Sequence, residues 1–482
     1  MPRWNLAWLL GIVGVSLLGL AISRSAPLRD KDKDYELVHL IVDVLDEVDH
    51  DYVRELDADA KRKLVEDMIN GGLMRLDEHS SYINPRRYKQ FTKETKAKFT
   101  GVGIQLSTDP NGLLIVHSPL VGTPAYEAGI LAGDIIVKID GKSTETMNQD
   151  EAVDLIQGEV GKVVTLTVLH EGTREPVDIP ITRAEIKVQS VLSDVRLPDK
   201  EWDFMMDKEN KIAYVRLSGF NETTAKELGQ KLTELKKEGL RGLILDLRTN
   251  GGGLLRSAVE ISRMFLTEGR IVSTKGREKE EEVYDADGRG AILVPAKEFP
   301  VAVLINKFSA SASEIVAAAL QDHERAVIIG ERSYGKGSVQ NVIKLEGGKS
   351  ALKLTTASYW RPSGKNIHRF FDSKETDDWG VKPNAGFEVP MKPEERLAYM
   401  KYRRDRDVVH GKGGDKPASP SSSKSDAGDD LDRRSINRGN KLPSTSPGKS
   451  EGEKEKKPFE DRVLNKALEF VRGEIKKVEA GG

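Results

Sequence analysis

Residues 301–322 read VAVLINKFSASASEIVAAALQD. Val301 to Ile305 is a short apolar run of strand type, and Ala312 to Leu320 is built of helix formers, so Ser311 falls on a strand-to-helix junction. Ala326 to Ile329 reads as another buried strand. On the N-terminal side, KIAYVRLSGF at 211–220 reads as a strand, Thr223 to Lys237 as a helix, Leu243 to Leu247 as a strand and Leu254 to Leu266 as a helix. Such alternation predicts an α/β core with a central sheet.

The junctions of this pattern carry chemistry. A hydroxyl is a poor nucleophile near neutral pH until a base takes its proton, and a lysine serves as that base only when burial or a cationic neighbour lowers its pKa. Lys336 lies in Tyr334-Gly335-Lys336-Gly337-Ser338, the Gly-rich loop after the 326–329 strand. Loops off neighbouring strands would bring Ser311 and Lys336 together. Unpaired amides at a helix start hold an oxyanion, and the 243–247 strand empties into Arg248-Thr249-Asn250-Gly251-Gly252-Gly253, whose backbone is free to approach a ligand. Gly251 or Gly252 would then supply a donor beside the amide of Ala312. Taken singly, the Ser/Ala run is a helix cap, the triple glycine a tight turn and Lys336 a solvated charge; their conjunction favours a site.

The blocks LDLRTNGGG (245–253), SASASEIVAAALQD (309–322) and GERSYGKGSVQ (330–340) resemble those of the C-terminal processing peptidases, or tail-specific proteases, over most of residues 35–390. The resemblance implies that Ser311 is the nucleophile, Lys336 the base and Gln340 the residue that orients it. It also implies an oxyanion hole from the amides of Gly251, Gly252 and Ala312, with Ser309 and Ser313 left to packing or capping. Two rival chemistries fit less well. GERSYGK (330–336) opens like a phosphate-binding loop but continues into Gly337 and a strand-like stretch instead of Ser or Thr and a helix. His323 and Asp246 suggest a Ser-His-Asp arrangement, yet His323 follows an apolar helix and complements its dipole there.

Residues 97–185 resemble a PDZ domain. Gly101-Val102-Gly103-Ile104 fits its carboxylate-binding loop, GTPAYEAGILAGDIIVKIDGK (122–142) its central signature, and Asn148 to Ile156 its groove helix. Backbone amides of such a loop cradle a terminal carboxylate while the ligand's tail adds as a strand to the sheet edge. Before it, residues 35–96 read as helical, with Leu37, Leu40, Ile41, Val44, Leu45 and Val48 at helical spacing and a second set at Leu64, Met68 and Leu73. Packing is the default role for these helices, with a homo-oligomer contact as the alternative.

The chain of 482 residues is long enough for several cores, and its formal net charge of −2 gives no argument for nucleic acid. It has no cysteine, which excludes disulfides and thiol catalysis, and its scattered histidines lack metal-ligand spacing, so no metal or cofactor is expected. Trp4 to Ile22 is almost wholly apolar, follows Arg3 and precedes a charged run, as an export signal or an uncleaved anchor would. Residues 411–457 lack aromatics and are rich in Ser, Gly, Pro, Lys and Asp, which predicts a disordered linker. Beyond it, Val463, Leu464, Ala467, Leu468, Val471, Ile475 and Val478 form a helical apolar stripe expected to dock on the core or on a partner subunit.

The expected organisation is therefore a signal or anchor (1–28), a helical region (35–96), a PDZ domain (97–185), an α/β peptidase core (186–400), a linker (411–457) and an amphipathic helix (458–479). The expected activity is that of a serine endopeptidase on the periplasmic side of an inner membrane, cleaving proteins with non-polar C-terminal tails. The alternative is a catalytically silent, membrane-tethered PDZ adapter.

Overall fold

The computed structural model describes residues 31–481 except 97, 110, 198–200, 278–279, 296–297 and 412–458. The apolar segment at 4–22 and, apart from Gly411, the expected linker lie outside the described residues. Among the described residues no helix is long and apolar enough to cross a membrane. The chain divides into a unit ending at Tyr82 and a larger one from Ile83 onward.

In the first unit, α1 (Lys31–Asp51) and α2 (Ala58–Leu73) follow the apolar periodicity of their sequence. Asp57 caps α2 by accepting from the Ala60 amide at 2.8 Å. Leu45, Val48, Leu64 and Val65 line one cleft, whereas Leu37, Leu40, Ile41 and Val44 are exposed.

The second unit opens with α3 (Pro85–Lys96) and a small β-rich body. Its strands β1 (Ile104–Thr108), β2 (Leu114–Pro119), β3 (Ile135–Ile139), β4 (Val163–Leu169) and β5 (Val177–Thr182) pair in that order, all antiparallel. Helix α4 (Gln149–Ile156) starts at Asn148, whose side chain and that of Glu151 cap each other's amides. Ala152 and Ile156 bury against Val102, Ile136, Val164 and Leu166.

The core is a three-layer α/β assembly. Strands β6 (Ile212–Leu217), β7 (Gly242–Asp246), β10 (Val301–Ile305) and β11 (Val327–Gly330) run parallel in that order, with Val191–Leu192 antiparallel on the β6 edge. The strands are mostly apolar because both faces are covered. Leu243, Leu245, Val301, Val303 and Ile305 pack on one side with α5 (Thr224–Lys237), α6 (Leu255–Arg263) and α7 (Ala312–Asp322). Ile244, Ala302 and Leu304 point the other way, onto α8 (Pro393–Asp407) and α9 (Arg462–Gly481). A second, antiparallel sheet joins β12 (Ser338–Leu345), β13 (Ser350–Trp360), β8 (Gly269–Gly276) and β9 (Glu282–Ala286). Strands β8 and β9 pair as an antiparallel hairpin.

The amphipathic stripe of α9 fills the open face of the central sheet: Val463, Leu464, Ala467, Val471 and Ile475 are all buried. A side chain at Gly242 would come within 2.3 Å of Val471, so the glycine lets the helix lie close on β7. At the head of α9, Asp461 accepts two hydrogen bonds of 2.8 Å from Arg248, whose Nε also donates to Asp246 at 3.0 Å. Tyr214 Oη donates to Asp246 at 2.6 Å. Burial pushes the Asp246 carboxyl up, but the charge and hydrogen bonds of Arg248 outweigh it and hold the group below its usual range. Elsewhere a strap after α8 links the core to the PDZ-like body. Arg406 pairs with Asp194 and Arg216 with Asp407, while the Val409 amide donates to Ser118 at 3.0 Å.

Arg248 lies three residues before Gly251, the first residue of the glycine turn, so its network couples α9 to that turn. Arg248→Met leaves two buried carboxylates without their counter-charge. Urea unfolding is expected to show a loss of about 3–5 kcal/mol, and a change within error would remove the coupling.

Candidate active site

Ser311 immediately precedes α7 and has φ 55° and ψ −114°, a conformation that L-residues adopt only when their surroundings impose it. The surroundings are the end of β7. Ser309 Oγ donates to Leu247 O at 2.8 Å, Ser313 Oγ to Asn250 O at 2.9 Å, and the Ala310 amide to the same carbonyl at 3.1 Å. Ser309 and Ser313 are thus fasteners between two loops, which leaves Ser311 as the serine of the block whose hydroxyl is not tied into them.

The glycine turn lies directly against this serine. A Cβ on Gly252, which has φ 98°, would sit 2.8 Å from Ser311 Cβ and 2.9 Å from the Ala312 amide nitrogen. The close approach therefore requires glycine. The Gly252 amide donates to Asn250 Oδ1 at 2.9 Å, so within this turn it is already bonded, while Gly251 is exposed. Asn250 is itself anchored through Nδ2 to Leu217 O at 2.8 Å.

Lys336, half-buried, lies between β11 and β12, and its loop is brought to Ser311 by one side chain. Glu314, fully buried in the first turn of α7, accepts the Ser311 amide at 2.7 Å and the Lys336 amide at 2.8 Å on the same oxygen, Oε2. Its other oxygen accepts the Gly335 amide and the Ser333 hydroxyl, each at 2.6 Å. The amides of Ser311 and Lys336 are consequently no more than two hydrogen-bond lengths apart. The same carboxylate occupies the nest that a phosphate would need, and the loop continues into strand β12, which disposes of the nucleotide reading.

Gln340 is half-buried on β12, where its Nε2 donates to Ser338 Oγ at 2.8 Å and to Thr355 Oγ1 on the paired strand at 3.2 Å. His323 stands at the opposite end of α7, about 18 Å along its axis from Ser311, with Nε2 at 2.6 Å from Arg270 O. Asp246 is committed to Arg248 and Tyr214. Neither group of the Ser-His-Asp alternative reaches the serine.

In the PDZ-like body, Gly103 has φ 85° and a Cβ there would collide with Thr123 at 2.3 Å. The Val102 and Gly103 carbonyls accept from the Ala125 and Leu120 amides at 2.9 Å, fixing the loop 101–104 at the head of β1. Across from β1, α4 supplies Leu155, and Gln149 Nε2 reaches Leu106 O at 3.3 Å.

Residues 211–385 match Peptidase family S41 and residues 115–169 match the PDZ domain. A carboxy-terminal-processing protease of Bartonella bacilliformis is 38% identical over 407 residues, spanning 83% of this chain and 89% of that protein. The chain belongs to this protease family. A carboxyl-terminal-processing protease of Synechocystis sp. is 35% identical over 66% of this chain and 70% of its own length. Among solved structures, a photosystem II D1 C-terminal processing protease shares 30% identity over 72% of this chain and 86% of its own, with a TM-score of 0.39. The protease is accordingly a serine-type peptidase acting on proteins, and the silent adapter is set aside.

Glu314 is the residue that sequence reasoning passed over. Its signal was present: a single carboxylate three residues after a serine, at the start of an otherwise apolar helix, is the spacing of a capping box. Burial raises Glu314 from an ordinary value of 4.5 to about 7, its four hydrogen bonds offsetting only part of that. The folded chain thus holds this proton more tightly than the unfolded chain. The residue's contribution to stability is complete below about pH 4.5 and is lost as the pH rises through about 7. Glu314→Gln has no such titration. Thermal unfolding at about pH 4 and about pH 8 should show the parent losing stability relative to the variant, by on the order of 3 kcal/mol. Parallel pH profiles for the two proteins would contradict it.

Proposed function

We propose that this protease is an exported endopeptidase that engages the C-terminal tail of an unstructured protein through its PDZ domain and cleaves the adjoining chain with a Ser-Lys pair. The observation that carries this reading is the shared carboxylate oxygen of Glu314, which draws the backbones of Ser311 and Lys336 together although 24 residues separate them. In the proposed reaction, neutral Lys336 Nζ takes the Ser311 proton as Oγ attacks the scissile carbonyl carbon. The oxyanion is received by the amides of Ala312 and the 251–252 turn. Lysine returns the proton to the leaving amine, and water, deprotonated by the same lysine, hydrolyses the acyl-enzyme. Gln340, the third residue of β12, orients Lys336. With Gly252 N–H bonded to Asn250 in the free protein, Gly251 is the better placed second donor, and a small rotation of the turn would recruit Gly252.

Tail recognition is supported by the loop 101–104, whose geometry is held by Gly103 and Thr123, and by the partly buried Ile104 and Leu106 of β1 and Leu155 of α4. Export is supported by the apolar run at 4–22.

The decisive assay incubates a chain beginning at Asp30 with an unfolded protein that has an apolar C-terminus and reads the products by mass spectrometry. Ser311→Ala and Lys336→Ala should each lower turnover by at least about 100-fold at unchanged thermal stability. Full activity of Lys336→Ala would refute the lysine base. Amidating the substrate's C-terminus should raise KM and leave kcat nearly unchanged; equal KM values would refute carboxylate capture by the loop 101–104.

A further inference from the structure

Four donors converge on Glu314, and three of them cannot reverse their direction. The contacts from Ser311, Gly335 and Lys336 are main-chain N–H groups, which only donate. The fourth is the Ser333 hydroxyl, 2.6 Å from Oε1, which carries acceptor positions beside its hydrogen. Of these four partners, only Ser333 Oγ can receive a proton from Glu314. The surroundings hold it in place for that. Ser333 is 2% exposed, its amide donates to Val381 O at 3.0 Å, and its Oγ accepts the Val381 amide at 2.7 Å. Gly380, with φ 58°, closes the far side: a Cβ there would lie 2.7 Å from Ser333 Oγ and 3.3 Å from Glu314 Oε1. A hydroxyl oxygen accommodates both the Val381 N–H and a Glu314 O–H.

The proton matters for the charge it removes. Glu314 Oε2 is 2.8 Å from the Lys336 amide, so the Lys336 amine lies no more than about 10 Å from the carboxyl. A carboxylate at that range favours the ammonium form by roughly one pH unit at an effective dielectric constant of about 20. A half-buried amine receives only part of the desolvation that favours its neutral form, so an anion beside it works against a lysine base. The other charges near Glu314 are engaged or exposed. Arg332 donates to the carbonyls of Glu375, Asp377 and Trp379, Asp378 pairs with Lys365 at 2.8 Å, and Lys307 and Lys382 are exposed. On the side of the glycine turn, Arg248 is bound to Asp246 and Asp461. Because burial raises Glu314 to about 7, the carboxyl and the amine titrate as a coupled pair near neutrality.

We propose that Ser333 is a positioning residue for the reaction: its hydroxyl accepts the Glu314 proton and so keeps the one proton of the Glu314–Lys336 pair on the carboxyl, leaving Lys336 Nζ neutral to take the proton of Ser311. This rests on the Ser-Lys reading. In the balance, a carboxylate and an ammonium become a carboxylic acid and an amine, and no other bond changes. Glu314 thereby has two roles, holding the two loops together through Oε2 and storing a proton on Oε1.

The test compares the pH dependence of kcat/KM for the full-length parent, Ser333→Ala and Glu314→Gln on an unfolded protein with an apolar C-terminus. Ser333→Ala leaves Glu314 ionised and should move the acid limb up by about one pH unit, whereas Glu314→Gln removes the charge and should move it down by about as much. A merely structural role lowers the rate in both variants and gives no such opposite shifts. Coincident limbs, or shifts of the same sign, in variants that cleave would overturn the proposal and leave the Ser-Lys reading intact. Full activity of Lys336→Ala would strike that reading instead. The site of the proton is read separately, without turnover, by carbon-13 NMR of the parent labelled at the glutamate carboxyl carbons. One resonance should titrate near neutrality, and in Ser333→Ala it should fall back to the ordinary carboxylate range. A parent in which every glutamate titrates in that ordinary range would overturn the proposal, whatever the variants do.

Discussion

One buried carboxylate holds the two halves of the site together. Glu314 receives hydrogen bonds from the Ser311 amide and from the loop of Lys336, and both loops would otherwise be free to diverge. A carboxylate suits this role because its two oxygens together accept four donors, and charge-assisted hydrogen bonds exceed neutral ones in strength. Its burial has a cost, visible in the rise of its pKa to about 7. The arrangement therefore trades some stability near neutrality for a fixed geometry, a relation common where a fold serves chemistry instead of its own stability.

A second buried cluster plays the corresponding part for the glycine turn. Arg248 sits between Asp246 and Asp461, so the strand that delivers Gly251 and Gly252 is bonded to the head of a helix near the end of the chain. Each charge there is tolerable only because its partners are also buried and correctly aimed. The two clusters act on opposite sides of Ser311: one fixes the turn in front of it and the other the lysine loop. The strained backbone of Ser311 is held between them, which explains why Ser309 and Ser313 are spent on hydrogen bonds to the β7 end of the turn.

The α/β core was legible because most of its strands are short apolar runs and most of its helices carry apolar stripes, and these periodicities depend on local sequence alone. The 301–305 strand, the helix after Ser311 and the 327–330 strand lie where the apolar pattern puts them. Helix α8 was not read, because PEERLAYMKYRRDRD is so rich in charge that its buried face, Tyr399 and Arg403, is masked. The Arg248 cluster was equally hidden: Asp461 lies more than 200 residues from Arg248 and Asp246, and meets them only in the fold.

The sequence by itself determined the elements and, through the glycine-rich and serine-rich blocks, which side chains could do chemistry. Local steric preference and hydrophobic period suffice for that. Only the tertiary structure decided that Ser309 and Ser313 are fasteners, that His323 stands at the far end of its helix, and that Glu314 bridges the loops of Ser311 and Lys336. Those outcomes depend on distances between segments remote in sequence, and such distances are set when the sheet orders its strands and the helices close on it, not by any one stretch of chain.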